Sequence, residues 1–397
     1  MKNLRFELPY RSFRVLCAAV FMLSMVSCKA QIPAGAMKTG ADQTEKWLPV
    51  LKGKQVALAA NPTSMIGKVH LVDSMLRLGI RFRAVFAPEH GFRGNAEAGE
   101  LVEGGVDKES GVKVISLYGD HKKPLPSDLE GIDIIVFDIQ DVGVRFYTYI
   151  STLQYMMEAA AATRKPLLIL DRPNPHGNYT DGPVLDTAYR SFVGMQSVPV
   201  IHGMTVGEYA TMLNGERWLE GGLPCDLSVV RMLNWKHSDD YQLPVAPSPN
   251  LPNTASIRLY PSLCFFEGTA VSLGRGTDLP FQCYGFPGNP GGTYAFTPQS
   301  IKGKSVRPMY EGQECRGERL DKEAFRFDRL QLKWLLKAYK NFPEKDKFFN
   351  PFFDKLAGGT SLREQIIAGW DEERIRSSWQ SGLESFRSIR SKYLLYP

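Results

Sequence analysis

Ile132-Asp133-Ile134-Ile135-Val136-Phe137-Asp138-Ile139 is a near-continuous apolar run that ends beside a carboxylate. A strand with one wet face alternates apolar and polar residues. This run does not, which marks a strand covered on both faces, as in a parallel sheet between helical layers. Working outward, residues 55–60, 82–86 and 112–117 before it and 166–170 after it read as further short buried strands. Helical patterns over 69–78 and 152–163 alternate with them. The fold expected is α/β, with a Rossmann-like parallel sheet subdomain over residues 47–200.

Residues 201–397 read as a second, mixed α/β subdomain with C-terminal helices that closes a cleft against the first. A helix is expected over 205–219, where Thr205 and Glu208 suit a capping box, and a strand over 226–232. Residues 243–298 are rich in Pro and Gly and low in periodicity, with too many aromatics for disorder. The tail reads as helical over 327–340 and 361–393, with Ile375, Trp379, Leu383, Phe386, Ile389 and Tyr393 as one core-facing stripe.

The first 28 residues carry Lys2, Arg5, Arg11 and Arg14 ahead of an apolar stretch over 15–26, then Met25-Val26-Ser27-Cys28. This is the pattern of a lipoprotein signal, with Cys28 as the lipidated residue, and the apolar stretch is too short to span a bilayer. The expectation is a cell-envelope protein, periplasmic or at the surface, that touches membrane only through this anchor. Residues 29–46 are read as its tether. The leader holds net +3 of the formal +6, and no block of like charges follows, so nucleic acid is not an expected partner. Cys225, Cys264, Cys283 and Cys315 form no CxxC pair and read as buried free thiols.

Three strand ends bring polar groups to one edge of the sheet, where open α/β sheets bind ligands. After 82–86 come Glu89-His90-Gly91-Phe92-Arg93. After 132–139 come Asp141, Arg145 and Tyr147, with Asp138 inside the run. After 166–170 come Asp171-Arg172-Pro173-Asn174-Pro175-His176. His202 and the irregular segments 247–253 and 264–278, with Glu267, Arg275 and Asp278, complete the set. Such convergence suits a hydroxyl-rich ligand and acid–base work. The turn after the first strand, Asn61-Pro62-Thr63-Ser64-Met65-Ile66-Gly67-Lys68, lacks the glycines of a dinucleotide or phosphate loop, so no cofactor is expected. His90, Asp138, Asp141, Asp171, His176 and His202 show no tight ligand spacing, so no metal is expected either.

Taken together, residues 89–94, 138–147, 171–175, 202–208, 267–278 and 392–396 resemble the exo-β-N-acetylmuramidases of glycoside hydrolase family 171, and the likeness runs over residues 47–397. The resemblance implies removal of terminal N-acetylmuramic acid from the non-reducing end of peptidoglycan fragments, in a cleft between a Rossmann-like and a second subdomain. It also implies that Glu89, in the family's Glu-His-Gly motif, is catalytic. A glycosidase usually pairs a carboxylic acid with a carboxylate. Glu267 is our first choice for the second group, with Asp141 as its rival. Substrate assistance by the 2-acetamido group is the alternative use of that partner. His90, Arg93, Asp138, Arg145, Tyr147, Asn174, His202, Arg275 and Asp278 are the expected substrate contacts, and the lactyl carboxylate calls for one of the three arginines. The rival classes are a sugar-binding lipoprotein without turnover and an esterase or deacetylase. The second half does not repeat the βα alternation that two-lobed binders show, and no G-x-S-x-G elbow is present.

Overall fold

The structure, a computed structural model, describes residues 35–89, 91–93 and 104–397. Six parallel strands form the central sheet: β1 (Gln55–Ala60), β2 (Arg81–Ala87), β4 (Lys113–Ser116), β5 (Ile134–Asp138), β6 (Leu167–Leu170) and β9 (Leu227–Val230). A two-residue strand β3 (Gly105–Val106) pairs antiparallel with β4 at one edge. The spatial order is β9-β6-β5-β1-β2-β4-β3. Counted along the chain, the parallel strands lie 3-2-1-4-5-6, so the sheet reverses direction between β1 and β5, where α/β sheets open a ligand crevice.

Alternate residues of each strand enter two different cores. Ala57, Ala59, Phe86, Ile135 and Phe137 pack with helices α3 (Tyr149–Thr163) and α4 (Val206–Gly215). Val56, Leu58, Val85, Ile134 and Val136 pack with α1 (Thr44–Leu51) and α2 (Leu71–Arg77). The continuous apolar runs are therefore explained: in the central strands β5 and β6 neither face of the sheet meets water. Thr205 caps α4 through the expected box with Glu208.

The rest of the chain packs against the α3 and α4 side. Strands β7 (Asp181–Val184) and β8 (Pro199–Ile201) form an antiparallel pair, and β10 (Cys283–Phe286), β12 (Cys315–Arg319) and β11 (Tyr294–Phe296) form a three-stranded sheet in that order. Helix α5 (Thr254–Leu263) lies inside the stretch expected to be irregular. Asn253 caps it by accepting the Ser256 N–H at 2.9 Å, and Pro261 in its last turn is what disguises it, since proline forfeits a helical donor. Then come α6 (Lys333–Asn341) and α7 (Phe352–Ala357). The single helix expected over 361–393 is three: α8 (Ser361–Ile367), α9 (Glu372–Ser378) and α10 (Gln380–Arg390). Gly369 turns the chain at φ +72°, and Asp371 starts α9 by accepting the Arg374 N–H. The stripe of Ile375, Trp379, Leu383 and Phe386 is nevertheless in the core. All four cysteines beyond the leader are buried and free.

The expected tether ends earlier than residue 46. Lys38 bridges to Leu233, the Gly40 N–H donates to the Asp171 carbonyl, and Ala41 and Trp47 are fully buried. Small residues here serve close packing, for a Cβ on Gly40 would lie 2.5 Å from the Asp171 nitrogen.

Two charged residues lock the edge of the sheet at the reversal point. Asp138 ends β5 with no exposure and takes a two-pronged contact from Arg172, at 2.6 Å from Nε and 2.8 Å from Nη2. The second prong's nitrogen also donates to the Met65 carbonyl at 3.0 Å. Removing one member of a buried pair leaves the other charge uncompensated. Arg172→Met is expected to cost about 3–5 kcal/mol of stability, and adding Asp138→Leu to recover much of it. Urea denaturation of the two variants checks this, and equal midpoints for Arg172→Met and the parent would contradict it.

Candidate active site

Above the reversal point a cavity of about 150 Å³ opens between the sheet edge and the second half of the chain. Glu89 reaches it from the end of β2, and Tyr147 and Tyr149 from the segment after β5. From the other side Asn250, Tyr260, Glu267, Arg275 and Phe281 line it. Glu89 and Glu267 thus share one cavity although the sequence holds them far apart.

The local structure explains each placement. Glu267 sits in the 3₁₀ turn Cys264–Gly268 that continues α5, and Gly268 is pressed against Phe353, where a Cβ would meet backbone at 2.4 Å. Its carboxylate pairs with Arg275, whose guanidinium lies 4.9 Å over the Phe281 ring. Phe281 holds φ +53°, a left-handed conformation that costs an ordinary residue about 1–2 kcal/mol. Such strain persists where packing imposes it, commonly at sites. Tyr147 donates to the Pro247 carbonyl at 2.9 Å and meets Tyr149 and Tyr260 edge to face, so the aromatic wall is rigid. Tyr118, just after β4, hydrogen-bonds Glu89, and burial raises its hydroxyl pKa. Asn250 is buried; its Nδ2 donates to the Lys304 carbonyl at 2.8 Å, while Oδ1 finds no partner among the described residues.

Of the residues expected at the site, Glu89, Glu267, Tyr147 and Arg275 line this cavity, and His90 lies outside the described residues. The others are held elsewhere. Arg93 is gripped by Asp73 and Asp107, at 2.9 and 2.8 Å. Arg145 is fully buried and donates to the carbonyls of Pro183, Val198 and Leu356, and burial lowers its pKa to about 9. Asp138 is committed to Arg172. Asn174 donates to the Met204 carbonyl and fills the space beside Gly143, where a Cβ would lie 1.9 Å from its Oδ1. His202 accepts the Met204 N–H, and burial pulls its pKa down to about 3. Asp278 is exposed and does not line the cavity. Tyr118, Tyr149, Tyr260 and Phe281 were not expected. Nothing in a lone aromatic residue distinguishes a site wall from core. Among the described residues no group of three or more His, Cys, Asp or Glu is arranged to hold a metal ion.

Asp141, the rival second carboxylate, is buried and is not part of the cavity lining. Its Oδ2 accepts the Gly143 N–H at 2.5 Å, and Oδ1 has no partner among the described residues. Burial pushes its pKa up to about 7, against the opposing pull of that N–H.

Two family models cover the chain: Exo-beta-N-acetylmuramidase NamZ, N-terminal, matches residues 56–255, and its C-terminal counterpart matches 258–396. The chain is 40% identical over 376 residues to the peptidoglycan beta-N-acetylmuramidase NamZ of Bacillus subtilis (strain 168), covering 87% of this chain and 88% of that one. Two crystal structures of DUF1343 family proteins from Bacteroides fragilis NCTC 9343 are similar. One has a TM-score of 0.84 and 44% identity, over 91% of this chain and 99% of that chain. The other has 0.78 and 30%, over 92% and 100%.

Asp141 makes a signed pH prediction. Its folded pKa lies above the unfolded value of 3.8, so the protonated form folds best. The stability it supports is fully present below that unfolded value and is lost as pH rises through about 7. Asp141→Asn stays neutral throughout. It is expected to match the parent near pH 4 and to exceed it at pH 8 by up to roughly 4 kcal/mol, with activity retained. Chemical denaturation at the two pH values reads the gap; a variant less stable at pH 8, or inactive, would return Asp141 to a role in the chemistry.

Proposed function

The chain belongs to the exo-β-N-acetylmuramidase family, and from that premise we propose that it removes a terminal β-linked N-acetylmuramic acid residue from the non-reducing end of peptidoglycan fragments. The observation that carries this reading is one cavity lined by Glu89 on one side and the Glu267–Arg275 pair on the other. Glu89 acts as the general acid. Its proton goes to the glycosidic oxygen as the bond to the anomeric carbon breaks, water supplies the hydroxyl that replaces the leaving group, and the remaining proton of that water restores the Glu89 acid. The Tyr118 hydroxyl orients Glu89. The Glu267 carboxylate faces the positive charge that develops on the sugar.

The same walls account for the choice of sugar. Of Arg93, Arg145 and Arg275, Arg275 is the one in the cavity, and it meets the lactyl carboxylate. The unpartnered Oδ1 of Asn250 accepts the N–H of the 2-acetamido group. The leader, ending at Cys28, exports the protein and anchors it by lipid in the cell envelope, beside its substrate. Incorporation of labelled palmitate that survives Cys28→Ser would refute this anchor.

The purified protein is expected to cleave a chromogenic N-acetylmuramic acid glycoside in preference to the matching N-acetylglucosamine glycoside. Glu89→Gln, nearly isosteric, should lower turnover roughly 10²–10⁴-fold without lowering the melting temperature. Binding of muramic acid without turnover by the parent would support the sugar-binding lipoprotein instead.

Arg275→Ala and Asn250→Ala should separate the two recognition contacts. A charge-assisted contact is worth about 1.5–3 kcal/mol, so Arg275→Ala should reduce the preference for muramic acid roughly tenfold or more. Asn250→Ala should weaken both sugars alike, since both carry the acetamido group. Equal losses on both substrates for Arg275→Ala would assign Arg275 to bracing Glu267 alone.

A further inference from the structure

A general acid fixes where the leaving group begins. Glu89 can protonate a glycosidic oxygen only within hydrogen-bond reach of it, so the departing sugar starts beside Glu89 and extends away from the cavity. The sheet decides what stands there. Its spatial order β5-β1-β2-β4 sets the tyrosines that follow β5 on one flank of Glu89 and the end of β4 on the other. Strands β2 and β4 pair with Ala87 opposite Ser116, and the Leu117 N–H donates to the Ala87 carbonyl at 2.7 Å. Carried two residues further, that register brings Tyr118 opposite Glu89, and the two side chains are hydrogen-bonded.

Tyr118 opens onto a groove of about 690 Å³ along strands β3 and β4. Its hydroxyl holds the acid while its half-buried ring lines the groove, so one side chain joins the two. The rest of the lining has the chemistry of a sugar site. Val106, 66% exposed, and Val114 add apolar surface beside the ring. Gly105 leaves the sheet edge bare, for a Cβ there would meet nothing within 4 Å. His121, 3.0 Å from Asp128, supplies polar groups. A pyranose presents an apolar C–H face and a rim of hydroxyls, and a largely apolar lining with a few polar groups meets both.

We infer that this groove is the leaving-group subsite, in which the Tyr118 ring carries the uncharged N-acetylglucosamine to which the terminal residue is linked. The inference rests on the proposed muramidase reading. It separates the two ends of one side chain: the hydroxyl positions Glu89, and the ring binds the sugar that departs.

Two substitutions divide those tasks. Tyr118→Phe keeps the ring and drops the hydroxyl, whereas Tyr118→Leu drops both. Each is compared with the parent on the disaccharide of N-acetylmuramic acid linked to N-acetylglucosamine, and on the methyl β-glycoside of N-acetylmuramic acid, whose aglycone is too small to fill the groove. Tyr118→Phe should keep the parent's KM on the disaccharide. It should lower kcat on both substrates and move the alkaline limb of the pH profile to higher pH, because a donor to the ionised carboxylate is gone. Tyr118→Leu should in addition raise KM on the disaccharide roughly three- to tenfold, while matching Tyr118→Phe on the methyl glycoside. Folded variants that agree with each other on both substrates, or a Tyr118→Leu loss of equal size on both, overturn the inference. If the parent cleaves neither substrate, the muramidase reading has failed and the groove is judged alone. N-Acetylglucosamine is then titrated while isotope-labelled valine methyls are followed by NMR, since Val106 and Val114 line the groove. Saturable shifts of these two residues that Tyr118→Leu abolishes support a sugar site, and no shift overturns it.

Discussion

The buried contact between Asp138 and Arg172 is the constraint on which the geometry of the cleft depends. Both charges are out of water at the ends of neighbouring parallel strands, so each depends on the other for compensation. Arg172 also donates to Met65, in the turn after β1, so one side chain ties three strand ends around the reversal point. The residue before it extends the clamp. Asp171 accepts from the Thr205 hydroxyl, the Gly207 N–H and the Tyr396 hydroxyl, at 2.7, 2.8 and 2.6 Å. The start of α4 and the end of the chain are thereby fastened to the same sheet edge. Burial raises the Asp171 pKa to about 6 despite these donors.

From this fixed edge the two halves divide the work. The sheet contributes Glu89 and the tyrosines after β5, all on segments whose origins are rigid. The Pro- and Gly-rich half contributes Glu267, Arg275 and Asn250, on turns that are rigid for another reason: they are wedged against α7 and the aromatic core. Gly268 touches Phe353, and Phe281 is forced into a left-handed backbone. Packing of this kind is what places both carboxyl-bearing residues in the lining of one cavity.

Much of the polar convergence seen along the chain is mechanical rather than chemical. Arg93, Arg145 and Asn174 donate to carboxylates and carbonyls that hold loops in place. His176 lies 2.6 Å from the Val142 carbonyl, and burial lowers its pKa to about 4, so like His202 it is neutral near pH 7. Loops that carry a site must be ordered, and buried hydrogen bonds to backbone order them at the cost of keeping those side chains away from substrate.

Periodicity and strand-end chemistry were local properties, and so the parallel sheet, its α/β class, the capping box of α4 and the place of Glu89 were legible from sequence alone. The motif resemblance extended this to the family. Helix α5 was hidden because its proline obscured a capped helix, and the three-part tail because Gly369 interrupts an apolar stripe that continues in space. Among Arg93, Arg145 and Arg275, sequence offered no way to choose. Each sits beside glycines or aromatics at a strand end or turn, and what a guanidinium binds depends on groups 8 to 211 positions away. Only the tertiary structure decided that Arg275 meets Glu267 in the cavity, that Asp141 is buried outside its lining, and that Asn250 lines it with an Oδ1 that has no partner among the described residues. Burial and partnership are properties of the packed whole, and no single segment carries them.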